Sequence, residues 1–271
     1  MNETTTPLPN ADCLMPRILI SNDDGINSDG IKVLEKIARA ISDDVWVVAP
    51  ESEQSGAAHS LTLHLPVRVR KLEEKRYAVG GTPTDCVLLA IKQIVAKEDG
   101  KPVDLVLSGV NHGSNVGDDV TYSGTIAAAM EGTVLNIPSI ALSLNHDGSY
   151  DMKWSVVEKF AAEIIKKLIS TKWDKNILMN INFPYCSENK VKGVKICAQG
   201  KRLVNIQLSE RADPKGRPYF WLGGERDNTP EKPDVDIDYL QNDYITITPI
   251  CMDMTDYKSL GELKNLWGCT I

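Results

Sequence analysis

The sequence of 271 residues contains no apolar run close to the roughly 18 residues that a membrane-spanning helix needs. Its formal net charge of −7 argues against the basic face of a protein that binds the nucleic-acid backbone. The first residues, MNETTTPLPNADCLMP, include neither the basic nor the apolar segment of a secretory signal. We therefore expect a disordered leader at residues 1–16 and a cytoplasmic protein, with neither a membrane nor a nucleic-acid polymer as its main partner.

The sequence also lacks the spacings that mark several common sites. Its six cysteines include no C-x-x-C pair, a pattern typical of reduced thiols rather than of a disulfide framework or a zinc cluster. Its four histidines have no H-x-x-H spacing. The G-x-S-x-G, G-x-G-x-x-G and P-loop motifs are absent, and no register of NDDGINSDG satisfies an EF-hand loop. These absences argue against serine hydrolases, dinucleotide binding, P-loop chemistry and EF-hand calcium binding.

Short, almost continuously apolar runs alternate with helical patterns from Arg17 to about Gly200. The runs are typical of strands buried on both faces, and they read RILIS, VWVVAP, DLVLSG, SIALSL and LMNINFP. Apolar residues between the runs recur at helical spacing, and we expect Ser28 and Thr84 to cap the first two helices. The alternation predicts an α/β fold with a doubly wound, mostly parallel sheet and helices on both faces.

Two segments interrupt this alternation. Residues 60–81 alternate like antiparallel strands and predict a β-hairpin inserted in the core. Beyond residue 200 the helical pattern gives way to a polar, Asp- and Pro-rich stretch, followed by the strand YITITPI. We therefore expect a core at residues 17–200 and a C-terminal extension at residues 201–271 that packs on another subunit or borders a site.

Polar loops follow three of the predicted strands. The first loop begins with Asn22, Asp23 and Asp24, the second contains Ser55, and the third contains Asn111. Ligands of an open parallel sheet bind beyond the carboxyl ends of its strands, so these loops are expected to meet at one edge. Adjacent carboxylates repel unless a cation compensates them, and oxygen donors without clustered Cys or His favour Mg²⁺ or Mn²⁺ over zinc. By itself Asp-Asp-Gly is more often a turn or a helix cap, and only the meeting of three loops favours a metal site.

The stretch YSGT precedes a small-residue helical pattern. Ser123, Gly124 and Thr125 would form the first turn of that helix, where free N–H groups and the helix dipole favour an anion. Gly124 would let an oxyanion approach the backbone. The same residues also fit a simple helix cap. His112, beside Asn111, fits assistance in acid chemistry, a contact with substrate, or a structural hydrogen bond in its loop.

Several blocks in one order resemble the SurE family, the survival-protein 5′/3′-nucleotidases, from about Arg17 to about Pro249. The blocks are ILISNDDGINSDGI, VVAPESEQSGAAHSLTL, GTPTDCV, DLVLSGVNHGSNVGDDVTYSGTIAAAMEG, NINFP and ITITPI. The resemblance implies a Rossmann-like core and a C-terminal extension exchanged between subunits of a homodimer or homotetramer. It also implies a 5′-nucleotidase, a phosphoric monoester hydrolase acting on nucleoside 5′- and 3′-monophosphates.

The resemblance also assigns residues to the site. The family's metal ligands correspond to Asp23, Asp24, Ser55 and Asn111. Its phosphate pocket corresponds to Ser123, Gly124 and Thr125, with Asn22 and Gly109 close to the metal. We expect one divalent ion per subunit, Mg²⁺ or Mn²⁺, to activate a water that attacks phosphorus, with Asp23 and Asp24 as catalytic residues and Asp23 accepting the water's proton. The alternative is a metal-dependent nucleotide-binding regulatory protein with little turnover.

Overall fold

The computed structural model describes residues 15–146, 152–171, 173–201, 207–223, 229 and 231–267. The predicted leader, apart from Met15 and Pro16, lies outside the described residues. The strands are β1 (Ile18–Ser21), β2 (Val45–Pro50), β3 (Val69–Glu73), β4 (Arg76–Val79), β5 (Leu105–His112), β6 (Ser139–Leu144), β7 (Ile177–Phe183), β8 (Val194–Ile196), β9 (Gln207–Ala212), β10 (Pro218–Gly223) and β11 (Ile245–Cys251). The helices are α1 (Asp29–Arg39), α2 (Pro83–Leu89), α3 (Val95–Glu98), α4 (Gly124–Val134), α5 (Trp154–Ile169), α6 (Asp236–Gln241) and α7 (Tyr257–Trp267). A π-helical turn, Ala90–Ile94, joins α2 to α3.

The main sheet has nine strands in the order β3-β4-β2-β1-β5-β6-β7-β11-β8. Strands β2, β1, β5, β6 and β7 run parallel to one another, which confirms the predicted α/β fold with a mostly parallel sheet. Alternate residues of β1 face opposite sides of the sheet. Ile18 and Ile20 pack with residues of α1 and α5, whereas Leu19 packs with residues of α2 and α4. Helices therefore cover both faces, and the cores are the two layers between helices and sheet.

The two predicted helix caps have different outcomes. Ser28 caps α1, and its hydroxyl accepts the backbone N–H of Ile31 at 3.4 Å. The prediction of Thr84 as a cap is wrong, because the cap of α2 is Thr82. Pro83 occupies the start of the helix, where its missing N–H costs nothing, so the capping residue has to precede it. Asp85 completes a capping box with Thr82.

Part of the predicted insert forms a hairpin. Strands β3 and β4 pair antiparallel, and β4 pairs parallel with β2, so the hairpin extends the edge of the main sheet. Residues 60–68 form no strand. Pro66 lies in that stretch and has no N–H to donate to a strand ladder.

Described C-terminal residues contribute a strand to the main sheet. Strand β11 lies between β7 and β8 in the main sheet, antiparallel to the first and parallel to the second. The main sheet thus takes strands from both sides of the predicted division near Gly200, and that division stays a prediction. Strands β9 and β10 form their own antiparallel hairpin, with exposed aromatic residues. No helix among the described residues is long and apolar enough to span a membrane.

Candidate active site

The loops after β1, β2 and β5 meet at the carboxyl edge of the parallel strands. The backbone N–H of Gln54 donates to the carbonyl of Asp23 at 2.8 Å, which joins the second loop to the first. The N–H of Ile26 donates to the carbonyl of Pro50 at the end of β2, also at 2.8 Å. The backbone N–H of His112, at the end of β5, donates to the Asp24 carboxylate. Hydrogen bonds thus connect the three loops at the edge of the sheet where the sequence predicts a site.

Asn22 shapes the first loop. Its Oδ1 accepts the N–H of Gly25 at 3.2 Å, and its Nδ2 donates to the Gly25 carbonyl at 3.1 Å and to Ser28 Oγ at 2.8 Å. Gly25 has a φ of +99°, a conformation that favours glycine. Both polar ends of Asn22 are engaged within the turn, so its predicted contact with substrate stays a prediction.

Asp23 lies against the N-terminus of α4. Its side chain is only 4% exposed, and its Oδ1 accepts a hydrogen bond from the hydroxyl of Thr125. A Cβ on Gly124 would lie 2.7 Å from Asp23 Cβ, closer than real Cβ atoms come, so this approach requires glycine. Ser123 caps the helix, because its Oγ accepts the N–H of Ile126 at 3.1 Å. The side chains of Ser123 and Thr125, both predicted to bind phosphate, thus hold the helix and Asp23 in place.

Burial and mutual repulsion act on the two adjacent carboxylates. Burial raises the pKa of Asp23, against the hydrogen bonds from the Thr125 side chain and backbone. Burial and the charges of Asp23 and Glu53 together raise the pKa of Asp24 to about 7, against the hydrogen bond from the His112 N–H. Among the described residues no lysine or arginine contributes to either shift. The pair therefore has no lysine or arginine partner among the described residues. A bound cation would compensate its negative charge.

Glu53 also lies at this edge, beside the predicted ligands, and the sequence interpretation did not include it. Its charge raises the pKa of both Asp23 and Asp24, and its Oε1 accepts the hydroxyl of Ser55 at 2.7 Å. Ser55 is exposed, so its hydroxyl oxygen is accessible at this edge. The sequence feature that could have identified Glu53 is its position two residues before Ser55, in the same polar loop.

The third loop places Asn111 with its amide oxygen available. Its Nδ2 donates to the Gly113 carbonyl at 2.8 Å, which orients the side chain and leaves Oδ1 as an acceptor. Gly109 has a φ of +124°, and a Cβ there would lie 2.2 Å from the carbonyl oxygen of Leu142. Gly109 therefore permits the close contact between β5 and β6, and its predicted place near the metal stays a prediction.

His112 stacks on His146, with 4.8 Å between the ring centroids and 15° between the ring planes. Burial lowers the pKa of His112, and the neighbouring His146 lowers it further, so the neutral imidazole is favoured. His112 therefore has a structural contact, the stacked ring of His146, and its predicted contact with substrate stays a prediction.

The donors at this edge fit an oxygen-ligated divalent cation. No group of three or more His, Cys, Asp or Glu side chains in the described ranges could hold a metal. The predicted set does not need one, because it combines two carboxylates with the hydroxyl of Ser55 and the amide oxygen of Asn111. Oxygen donors of this kind suit Mg²⁺ or Mn²⁺ better than zinc. The uncompensated charge of Asp23 and Asp24 supports the same choice.

Several known proteins are similar to this chain in sequence or in structure. The family model described as "Survival protein SurE" matches residues 18–205. A 5′-nucleotidase SurE of Paramagnetospirillum magneticum is 52% identical over 256 residues, which cover 94% of this chain and 97% of the relative. A 5′-nucleotidase SurE of Brucella anthropi is 48% identical over 255 residues, covering 93% and 97% respectively. The crystal structure of the SurE protein from Aquifex aeolicus superposes with a TM-score of 0.80 at 38% identity, covering 93% of this chain and 100% of that one.

Proposed function

The chain belongs to the SurE family, and from this premise we propose that it is a 5′-nucleotidase that hydrolyses nucleoside monophosphates to nucleoside and phosphate. The observation that carries the proposal is the pair Asp23 and Asp24, two carboxylates without a cationic partner among the described residues, with Asp23 held at the N-terminus of α4. A site for a cation thus lies directly beside a helix N-terminus that suits an anion, which is the arrangement that phosphoryl transfer requires.

We propose that Asp23, Asp24, Ser55 and Asn111 hold one divalent cation, Mg²⁺ or Mn²⁺. When bound, such a cation supplies a water of lowered pKa and a positive charge beside a phosphoryl oxygen. Thr125 fixes the orientation of Asp23 through its hydroxyl, and Gly113 fixes that of Asn111 through its carbonyl. These two bonds orient two of the four proposed oxygen donors before substrate arrives.

The first turn of α4 is the proposed place for the transferred phosphoryl group. The side chains of Ser123 and Thr125 are engaged in capping and in holding Asp23. The Thr125 N–H donates to Asp23 and the Ile126 N–H to Ser123 Oγ, so the phosphoryl oxygens are bound chiefly by the N–H of Gly124 and by the helix dipole. Asp23, the more buried of the pair, accepts the proton of the attacking water at its carboxylate.

The second candidate is a nucleotide-binding regulatory protein with little turnover. We favour the enzyme because every residue type in the proposed ligand set is present, whereas a chain that had lost turnover would be expected to lack at least one. Release of inorganic phosphate from the four 5′-nucleoside monophosphates and their 3′ isomers, with Mg²⁺ or Mn²⁺ present, tests this choice. We expect turnover of 5′ substrates and, by family resemblance, of 3′ substrates. Tight nucleotide binding by calorimetry without phosphate release from any substrate would contradict the enzyme and favour the regulator.

We propose that the chain forms a homodimer or homotetramer through the β9–β10 hairpin. Phe220 and Leu222 are exposed on one face of the hairpin, and Tyr219 and Trp221 are exposed on the other. Contiguous exposed apolar surface of this kind marks interaction sites. In size-exclusion chromatography with light scattering we expect the double variant Phe220→Asp, Leu222→Asp to have a lower mass than the wild type. Leu63→Asp, Leu65→Asp, the same change at two exposed leucines outside the hairpin, is the matched control. An unchanged mass in the hairpin double variant would refute the interface.

A further inference from the structure

A second concave site lies at the opposite edge of the sheet from the candidate active site. The cavity has a volume of about 520 Å³ and is lined by residues 102–104, 136–138 and 173–175, which precede β5, β6 and β7. Its fourth wall comes from the helical stretch that contains Lys92 and Val95. Strands rise roughly 3.3 Å per residue, so the length of β5 places the cavity about 20 Å from Asn111. It is therefore separate from the chemistry proposed above.

The walls of this cavity are mainly apolar. Val95 is 1% exposed and Val103 is 6% exposed, so both form a floor that water does not reach. Trp173, from the segment before β7, is half-buried and contributes an indole face to the lining. Aromatic walls favour flat apolar groups, which stack on or pack edge-to-face against the ring. The volume falls within the roughly 300–1,000 Å³ typical of small-molecule sites.

Three lysines give the cavity its positive charge. Lys92 and Lys101 are exposed and Lys175 is half-buried, and all three line the cavity. None of them forms a salt bridge with another residue in the described part of the chain. Their ammonium groups are therefore available to an anion.

The acidic residues near these lysines are already engaged. Asp104 Oδ2 accepts the backbone N–H of Arg17 at 2.8 Å, and Asp174 Oδ1 accepts the backbone N–H of Asn176 at 2.7 Å. Asp99, which precedes Lys101 in the chain, accepts two bonds from the guanidinium of Arg17, at 2.7 and 2.6 Å. The lining therefore carries three lysines against the two carboxylates of Asp104 and Asp174, and its net charge is positive.

We propose that this cavity binds a small organic anion with a flat apolar body, such as an aryl carboxylate, sulfonate or phosphate. The apolar body packs between Val95 and Trp173, and the anionic group lies among the three lysines. Neither part of the site uses a residue of the candidate active site. The proposal therefore stands or falls independently of the nucleotidase function.

Fluorescence titration with two probes of similar shape tests the charge and the cavity separately. The anionic probe is 8-anilinonaphthalene-1-sulfonate, and the neutral one is N-phenyl-1-naphthylamine. We expect the double variant Lys92→Glu, Lys175→Glu to bind the anionic probe about tenfold more weakly, since each reversed charge removes a contact and adds repulsion. Binding of the neutral probe stays at the wild-type level. Lys215→Glu, a matched change in an exposed turn outside the cavity, leaves both probes unaffected.

The variant Ala96→Trp tests whether the probes bind in the cavity. Ala96 lines the cavity and is exposed, so an indole at this position fills the cavity without disturbing the buried core. We expect this variant to lose binding of both probes, with an unchanged circular dichroism spectrum. Undiminished binding of the anionic probe to the double-lysine variant would overturn the assignment of an anion. Undiminished binding to Ala96→Trp would overturn the assignment to this cavity, with the probes then bound to other apolar surface such as the β9–β10 hairpin.

Discussion

At the scale of single residues, the candidate active site depends on one close approach. Gly124 begins α4 directly against Asp23, and Thr125 then reaches the Asp23 carboxylate with its hydroxyl. A carboxylate at a helix N-terminus is stabilised by the dipole and the free N–H groups. The orientation of Asp23 therefore depends on how near the helix can come.

Gly124→Ala tests this approach. The new Cβ would lie 2.7 Å from Asp23 Cβ and 2.9 Å from its Oδ2, so the helix and Asp23 have to separate. We expect a loss of about 1–3 kcal/mol in the free energy of unfolding, the usual cost of overpacking. Phosphate release should fall about 100-fold, the scale that follows a displacement of roughly 1 Å in a catalytic group.

Gly261→Ala is the matched control for that variant. Gly261 lies in the exposed helix α7, and a Cβ there would meet nothing within 4 Å. Alanine is the better helix former, so this change should stabilise the protein by up to about 1 kcal/mol and leave turnover unchanged. Equal activity in Gly124→Ala and the wild type would show that Asp23 does not need its present position.

The sequence could predict which residues collect at this edge, but not how they contact one another. Asp23, Asp24 and Asn111 follow or end buried strands, and the general rule for parallel sheets brings such positions together. The bond from Thr125 to Asp23 and the role of Glu53 depend on distances between loops far apart in sequence. Local patterns contain no such distances. The bonds of Asn22, by contrast, are local, with partners three and six residues along the chain, and are of the kind that an Asn in a turn commonly makes.

At the scale of elements, helix α2 offers a test of its starting residue. The hydroxyl of Thr82 accepts the N–H of Asp85, whereas the buried hydroxyl of Thr84 has no hydrogen-bond partner among the residues that the structure describes. Thr82→Ala should lower the free energy of unfolding by about 1 kcal/mol, because a helix cap is lost. Thr84→Val should leave it unchanged or raise it, since a buried hydroxyl without a partner is costly. Urea denaturation of the two variants measures both values, and the reverse order would restore Thr84 as the cap.

The paired strands show where local sequence stops being informative. The apolar runs identified β1, β2, β5, β6 and β7, because each is buried on both faces. The run YITITPI was also recognised as a strand, but its place between β7 and β8 was not. Strand order is decided by which exposed edge the returning chain reaches, and that depends on the whole fold.

At the scale of the whole molecule, Arg17 ties together three segments at the sheet edge opposite the candidate active site. Its guanidinium donates to Asp44 at 2.7 Å and to Asp99 at 2.6 Å, although its side chain is only 4% exposed. The hydrogen bond from Arg17 holds the pKa of Asp99 well below its usual range. Burial opposes the same effect at Asp44, yet bonds from Lys75 and Arg17 hold its pKa below the usual range as well.

These lowered pKa values predict how stability depends on pH. Each carboxyl has a lower pKa in the folded chain than the value of about 3.9 for an unfolded one, so its contribution is complete above that value. The contribution is lost as the pH falls through the folded pKa. The urea midpoint of the wild type should therefore decline between about pH 4 and pH 2, and that of Arg17→Met should decline less.

Lys32→Met is the control for the pH series. Lys32 pairs with Asp29 on an exposed helix surface, where ion pairs contribute little. Its urea midpoint should follow the wild-type curve over the same range of pH. If the urea midpoint of Arg17→Met declined as steeply as that of the wild type, the loss of stability in acid would not come from this ion-pair group.

The central claim is that Asp23 and Asp24 hold a divalent cation on which phosphoester hydrolysis depends. The most direct measurement is phosphate release from a 5′-nucleoside monophosphate by protein stripped with EDTA and then titrated with Mn²⁺ or Mg²⁺. We predict no turnover in EDTA, recovery on adding metal, and a loss of about 100-fold in Asp24→Asn, the scale of losing an electrostatic anchor. Asp29→Asn, the same change on the exposed side of α1, should match the wild type. Unchanged turnover in EDTA, or near-normal turnover in Asp24→Asn, would contradict the account.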